Sequence, residues 1–161
     1  MPVHPEVLEK INDPQISIDF DALERIAEKY ELDLIVLHGS RAQGYAHRNS
    51  DADIAVRTVR SDYQQRDPDS EALWYLDLMA DINGAIYAPE CCDVRVLDAS
   101  RTVFCMNVAC HGMPLYQRYP GSFSEFVEQA TRRFRREAPR RQLLRDQQRS
   151  EVYGRSVPSD N

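Results

Sequence analysis

The chain has 161 residues and a mass of 18.6 kDa, the size of one ordinary domain. Hydrophobic residues at 42% and charged residues at 29% exclude a disordered chain, and no apolar run approaches the roughly 20 residues that cross a bilayer. The net charge of −6 is uneven, with 20 acidic against 11 basic residues up to Gly121 and 6 against 9 from Ser122 onward, so the body is a poor general nucleic-acid binder.

Residues 1–18 carry three prolines and read as an extended lead-in. Asp21, with Glu24 three residues on, predicts a helix N-cap, and Leu23, Ile26, Ala27 and Tyr30 follow at helical spacing. Leu32 to His38 is a nearly continuous apolar run, the pattern of a buried strand, and it stops at Gly39-Ser40. After a polar turn, DADIAV alternates, with Asp51, Asp53 and Ala55 facing one way. Arg57 to Ser70 reads as a loop, Glu71 to Ile82 as a helix with Gly84 near its end, and Cys92 to Leu97 as another alternating strand.

Ser100 predicts the cap of a helix running to about His111, with Gly112 as its stop. MPLYQ reads as a short strand. Ser122 and Glu125 form a second capping pattern, and Phe123, Phe126, Val127, Ala130 and Phe134 line one face of the next helix, which Pro139 ends or kinks. The order of elements predicts a small α/β domain with a mixed sheet. The first ten residues show no signal-peptide pattern. Cys91, Cys92, Cys105 and Cys110 lack metal-ligand spacing and read as free thiols in a reducing compartment. Both observations point to the cytoplasm.

The chemistry concentrates in LHGSRAQGYAHRNSDADIAV, residues 37–56. Gly39 lets the backbone approach a ligand closely. A short helix from Arg41 to Gly44 would offer free N–H groups, and the Ser40 hydroxyl would join them on phosphate oxygens. Asp51 and Asp53 share one face of the next strand, about 6–7 Å apart at Cα. Their charges repel, and a divalent cation between them removes the conflict. An all-oxygen set with phosphates favours Mg²⁺ or Mn²⁺. A third carboxylate serves a second metal or deprotonates an attacking hydroxyl. Asp93 is the best candidate, with Arg95 on its face, and Asp98 is its competitor at opposite parity. Arg41 and Ser50 are further candidate nucleotide contacts. Arg95 pairs with Asp93 or with a phosphate, and the sequence leaves both open. His38 reads as a hydrogen-bonded strand-end histidine, and Trp74 and Tyr75 as packing residues.

Gly39-Ser40, ten residues, Asp51-Ala-Asp53 and a later strand-borne Asp93 together resemble the DNA polymerase β nucleotidyltransferase superfamily. GSRAQG…SDADIAV and LDASRTVFCMNVACHGMPLYQ are similar to its minimal members, above all the MntA-type antitoxins of HEPN/MNT toxin–antitoxin pairs. The resemblance covers about residues 20–118. It implies a single-domain α/β (α+β) polymerase β-like fold, a small mixed sheet flanked by helices; residues 1–138 are assigned to that domain, and the Arg-rich tail over 139–161 follows it outside the family's signature. It implies AMP transfer from ATP to a tyrosine of a HEPN ribonuclease toxin, with which the chain forms a hetero-oligomer. Asp51, Asp53 and Asp93 would hold Mg²⁺ (two ions) and carry the catalysis, with Asp93 as ligand or base, and Gly39 and Ser40 would bind the triphosphate.

Two features depart from the family pattern: the long polar loop 57–70 and the tail, where eight arginines lie between Arg132 and Arg149 against two acids. A solvated helix face, docking to an acidic partner surface and contact with RNA are the readings of that tail. Two rival functions stand beside adenylylation: a non-catalytic toxin-binding antitoxin with a vestigial ATP site, and a small-molecule (aminoglycoside-type) nucleotidyltransferase. There is no G-x-x-x-x-G-K-[ST] loop and no G-x-G-x-x-G fingerprint. Arg-x4-His, the toxin's own pattern, is also absent from the sequence.

Overall fold

The computed structural model describes residues 15–59 and 67–154, with side chains through residue 148. In chain order the elements are β1 (Ser17–Ile18), α1 (Phe20–Lys29), β2 (Leu32–His38), α2 (Gly39–Gln43), β3 (Ala52–Thr58), α3 (Pro68–Ala85), β4 (Ile86–Tyr87) and β5 (Cys92–Val96). A 3₁₀ turn at Leu97–Ala99 leads to α4 (Thr102–His111), β6 (Met113–Gln117), α5 (Ser122–Arg136) and α6 (Ala138–Gly154). The main sheet has the order β5-β3-β2-β6. β2 runs antiparallel to β3 and β6, while β3 and β5 are parallel, so the sheet is mixed.

β2 is buried at all seven positions, because it is paired on both edges and covered on both faces. Ile35, Leu37, Ile54, Val56 and Val94 pack under α1 and α3 with Leu23, Ile26, Leu78 and Ile82. Leu34, Val36 and Ala55 face the other way and meet Cys105, Val108, Phe126 and Ala130 of α4 and α5. The period-2 alternation of β2 and β3 therefore feeds two cores, one on each side of the sheet. Across the second face, Arg57 donates to Asp33 and to the Ser122 carbonyl (3.2 Å), which ties β2 and β3 to the start of α5.

Several local expectations are corrected. Asp19, not Asp21, caps α1: its carboxylate accepts from Ala22 N at 2.9 Å, and Asp21 sits in the first turn, where its charge favours the helix dipole. Thr58 ends β3, so Arg57 and Thr58 belong to the strand and not to a loop; the central part of the predicted loop, 60–66, lies outside the described residues. α3 begins at Pro68 behind the Asp67 cap, which accepts from Ser70 N at 3.0 Å. Ser100 does not cap α4. Its hydroxyl donates to the Val96 carbonyl at 2.7 Å, and Arg101 holds the cap position without a side-chain bond.

Ser122 and Glu125 do not form a capping box either. Gly121 is the N-cap of α5, and both side chains instead accept from Tyr119, Ser122 from its N–H and Glu125 from its hydroxyl at 2.6 Å. Gly112 does stop α4, but in extended conformation. Its reason is space, since a Cβ there would lie 2.6 Å from Val36 Cγ1. α5 ends before Pro139, and the tail continues as α6 to Gly154. β1 and β4 pair antiparallel as a two-stranded ribbon; strands of two residues carry no periodic signal in a sequence. The first fourteen residues of the predicted lead-in and the final residues from 155 lie outside the described residues.

Candidate functional site

The site forms where the C-terminal end of β2 meets the first residues of β3 and β5. His38 pairs with Asp53 in the antiparallel ladder, and Asp53 pairs with Asp93 in the parallel one. Parallel strands in direct register put equivalent residues on the same face side by side, so Asp53 and Asp93 lie next to each other on the α4 side of the sheet. Asp51 precedes the strand and is exposed. Asp98, the competitor of Asp93, lies beyond the other end of β5, where its carboxylate accepts from Thr58 N at 2.9 Å.

Gly39 turns the chain at φ +69, the left-handed region that favours glycine. A Cβ on Gly39 would fall 2.9 Å from Asp53 Cγ and closer still to its Oδ2. The missing side chain is thus what lets the turn lie against the carboxylate. Among the described residues, no side chain engages the Ser40 hydroxyl, whereas the Ser40 carbonyl accepts from Gly44 and Tyr45 N–H and closes α2.

Arg41 is buried. Its guanidinium donates to the Ser50 carbonyl (3.1 and 2.5 Å) and to the Asp51 carbonyl (3.2 Å), pinning the far end of the loop that delivers the aspartates. The Ser50 hydroxyl accepts from His47 N at 2.8 Å. Both side chains therefore shape the 44–51 loop.

Burial holds the Asp53 carboxyl above its ordinary value; the charges of Asp93 and Asp51 push the same way, while His38 and Arg95 oppose. His38 is only 7% exposed, and among the described residues its Nε2 has no hydrogen-bond partner, contrary to the expectation of a satisfied strand-end histidine. Burial lowers its pKa, which favours the neutral ring. Its face is set by Phe104 of α4, edge-on at 5.2 Å between centroids. Arg95 Nε donates to Asp93 Oδ2 at 3.1 Å, and its guanidinium lies 5.4 Å from the same Phe104 ring. Phe104 is a site residue that sequence reasoning missed. Nothing in its local pattern marks it, because only the packing of α4 on the sheet brings it there. Trp74 and Tyr75 do pack, Trp74 edge-on to Tyr30 and Tyr75 through a hydroxyl donated to the Val94 carbonyl.

Among the described residues, no group of three or more His, Cys, Asp or Glu side chains is arranged to hold a metal ion by itself. What the chain presents is a two-carboxylate face with a third carboxylate nearby, beside a glycine turn with a free hydroxyl.

No curated protein matches the sequence significantly. Solved structures do match the fold. A toxin–antitoxin crystal structure with AMP-PNP aligns at TM-score 0.59 and 23% identity, covering 80% of this chain and 98% of that one. A tri-AMPylated Shewanella oneidensis HEPN toxin in complex with MNT antitoxin aligns at 0.54 and 19%, covering 80% and 94%. A MntA–HepT toxin–antitoxin structure aligns at 0.54 and 20%, covering 80% and 95%. At these identities the likeness is one of fold. Residues 21–120 match the family described as polymerase beta, nucleotidyltransferase, a span that holds the whole main sheet, Gly39-Ser40 and all three aspartates. The chain belongs to the polymerase beta nucleotidyltransferase family.

Proposed function

We propose that this protein is a cytoplasmic antitoxin that transfers AMP from ATP to a tyrosine of a HEPN ribonuclease toxin and thereby silences it. The observation that carries the reading is the direct register of Asp53 with Asp93 on one sheet face, against the Gly39 turn. The AMP-PNP and AMPylated-toxin complexes of similar fold support the choice of nucleotide and partner. No helix among the described residues is long and apolar enough to cross a membrane.

The donor set fits Mg²⁺, which takes one or two carboxylates and completes its shell with substrate phosphates and water instead of an all-protein cage. Burial raises the Asp53 carboxyl, and the like charges of Asp93 and Asp51 add to the effect; a cation at this face would offset that cost. Asp51, Asp53 and Asp93 would hold the cation, which supplies charge neutralisation on the phosphates and favours an ionised acceptor hydroxyl.

The chain's own residues do the positioning. Gly39 admits the triphosphate close to the backbone, and the Ser40 hydroxyl donates to a phosphate oxygen. Arg41 stiffens the loop that carries Asp51, and His38 with Phe104 forms a dry wall behind the carboxylates. The acceptor tyrosine oxygen bonds to the α-phosphorus as the bond to the bridging oxygen breaks. Pyrophosphate leaves, and the phenolic proton passes to solvent at the open edge of β5. Alignment and electrostatics supply most of the rate in such transfers.

Incubation with ATP labelled at the α-phosphate, Mg²⁺ and a HEPN toxin tests the proposal. Label should move to the toxin and should be lost with Asp53→Asn. Equal labelling by that variant overturns it. Full neutralisation of the toxin in cells by an Asp51→Asn/Asp53→Asn/Asp93→Asn variant would instead favour a purely steric antitoxin.

A further inference from the structure

The strand-borne carboxylate pair already has a cation. Arg95 lies two residues after Asp93 on the same face of β5, and its Nε–H meets Asp93 Oδ2 at 3.1 Å. Opposite it in the β3 ladder stands Ala55, too small to obstruct it. Phe104 holds the guanidinium on one side, as it holds His38. Asp93 in turn stands level with Asp53 in the β3–β5 ladder, so the guanidinium sits beside the pair while bonding one member of it.

That contact is built to be broken. The two side chains are 57% and 41% exposed, and an ion pair in such a setting is weak. β5 is the edge strand, so the arginine can swing outward without disturbing the backbone ladder. A triphosphate offers more negative charge than one carboxylate, and a planar guanidinium matches phosphate oxygens well.

We propose that Arg95 is the resident counter-ion of the Asp53–Asp93 pair and that it transfers to the nucleotide's phosphates on binding, so that the divalent cation enters the site together with the triphosphate and not before it. The inference rests on the nucleotidyltransferase reading above. It makes Arg95 a positioning residue that couples metal loading to nucleotide binding. Two positive charges competing for one carboxylate give negative coupling; the nucleotide relieves it by drawing Arg95 away.

Mn²⁺ binding to the full chain, followed by the EPR signal of the free ion, reads this directly without any turnover. In the absence of nucleotide, Arg95→Met should bind Mn²⁺ about fivefold more tightly than wild type, the scale of one exposed ion pair. AMP-PNP should tighten Mn²⁺ binding strongly in wild type and less in the variant. Arg95→Lys, which keeps the charge but not the planar fork, should fall between. Arg135→Met, an exposed charge removed from α5 outside the site, controls for net charge, and circular dichroism confirms folding. Equal nucleotide-free Mn²⁺ affinity for wild type and Arg95→Met overturns the proposal while leaving the metal reading intact. Equal gains from Arg95→Met and Arg135→Met also overturn it. No Mn²⁺ binding by either protein, even with AMP-PNP, overturns both this proposal and the metal reading of the site.

Discussion

Gly39 and Asp53 occupy each other's space: any side chain at residue 39 would collide with the Asp53 carboxylate, and the backbone there already holds φ +69. Turn and carboxylate are thus one unit, although fourteen positions separate them in the chain. Gly39→Ala is expected to cost about 2–4 kcal/mol in denaturant unfolding, from left-handed strain and overpacking together. Label transfer should fall by more than stability accounts for, because the variant displaces the Asp53 side chain itself.

Asp53 carries a cost to the metal-free fold. Its carboxyl lies above its ordinary value mainly because it is buried, with Asp93 and Asp51 adding to the effect. A carboxyl whose folded pKa exceeds the unfolded one destabilises the fold once ionised. The penalty is absent below the unfolded value of 3.8 and complete above the folded one. Metal-free Asp53→Asn should therefore be more stable than wild type at pH 7–8, with the difference vanishing by about pH 4. Thermal melts across that range check it, and label transfer should be down by at least about a hundredfold.

Arg41 is a clamp on two carbonyls and not a free surface cation. Lysine cannot span Ser50 and Asp51 as the planar fork does. Arg41→Lys should lose about 1 kcal/mol, the scale of a net hydrogen bond in a part-buried setting, and should loosen AMP-PNP binding through the displaced Asp51. Calorimetric titration with AMP-PNP reads the second effect; unchanged affinity would limit Arg41 to a role in folding.

In the pair formed by Asp33 and Arg57 the acid is buried and the arginine largely so, at 8% and 13% side-chain exposure. Arg57 also reaches the Ser122 carbonyl and the Phe126 ring. Arg57→Met leaves the Asp33 charge without its partner inside the fold, which typically costs about 3–5 kcal/mol. Equilibrium unfolding should show that loss, and Asp33→Asn combined with Arg57→Met should recover part of it.

Deletion of residues 138–161 removes α6 and four of the eight arginines between Arg132 and Arg149, but no element of the main sheet. The stacking of Arg141 over the Phe134 ring, at 3.7 Å, goes with α6 and leaves the nucleotide site untouched. AMP-PNP binding should be unchanged. Affinity for the toxin should drop by about tenfold or more if the tail docks on an acidic partner surface, a range that a few interface charges cover. Unchanged toxin affinity would leave the tail as a solvated helix.

Much of the site was legible in residues 37–56 and 92–96 because its signals are local. Strand parity alone puts Asp93 with Arg95, and a glycine after a seven-residue buried strand announces the turn; Asp51 lies before β3, where alternation no longer places it. Helix termini were less legible. The pattern points to Asp21 and Ser122, whereas Asp19 and Gly121 hold the cap positions, because the entry path of the chain, and not residue type alone, selects where a helix starts.

By itself the sequence determined which residues share a face, since alternation is a property of one strand and needs no neighbour. It equally determined the family, through spacings within continuous segments. Only the tertiary structure decided that β5 lies parallel to β3 with Asp93 level with Asp53, that Arg95 closes on Asp93, and that Phe104 backs both Arg95 and His38. The first of these joins residues forty positions apart, and the last reaches from β2 and β5 to α4. They are set by how α3 and α4 pack on opposite faces of the sheet, a balance of burial that no local pattern encodes.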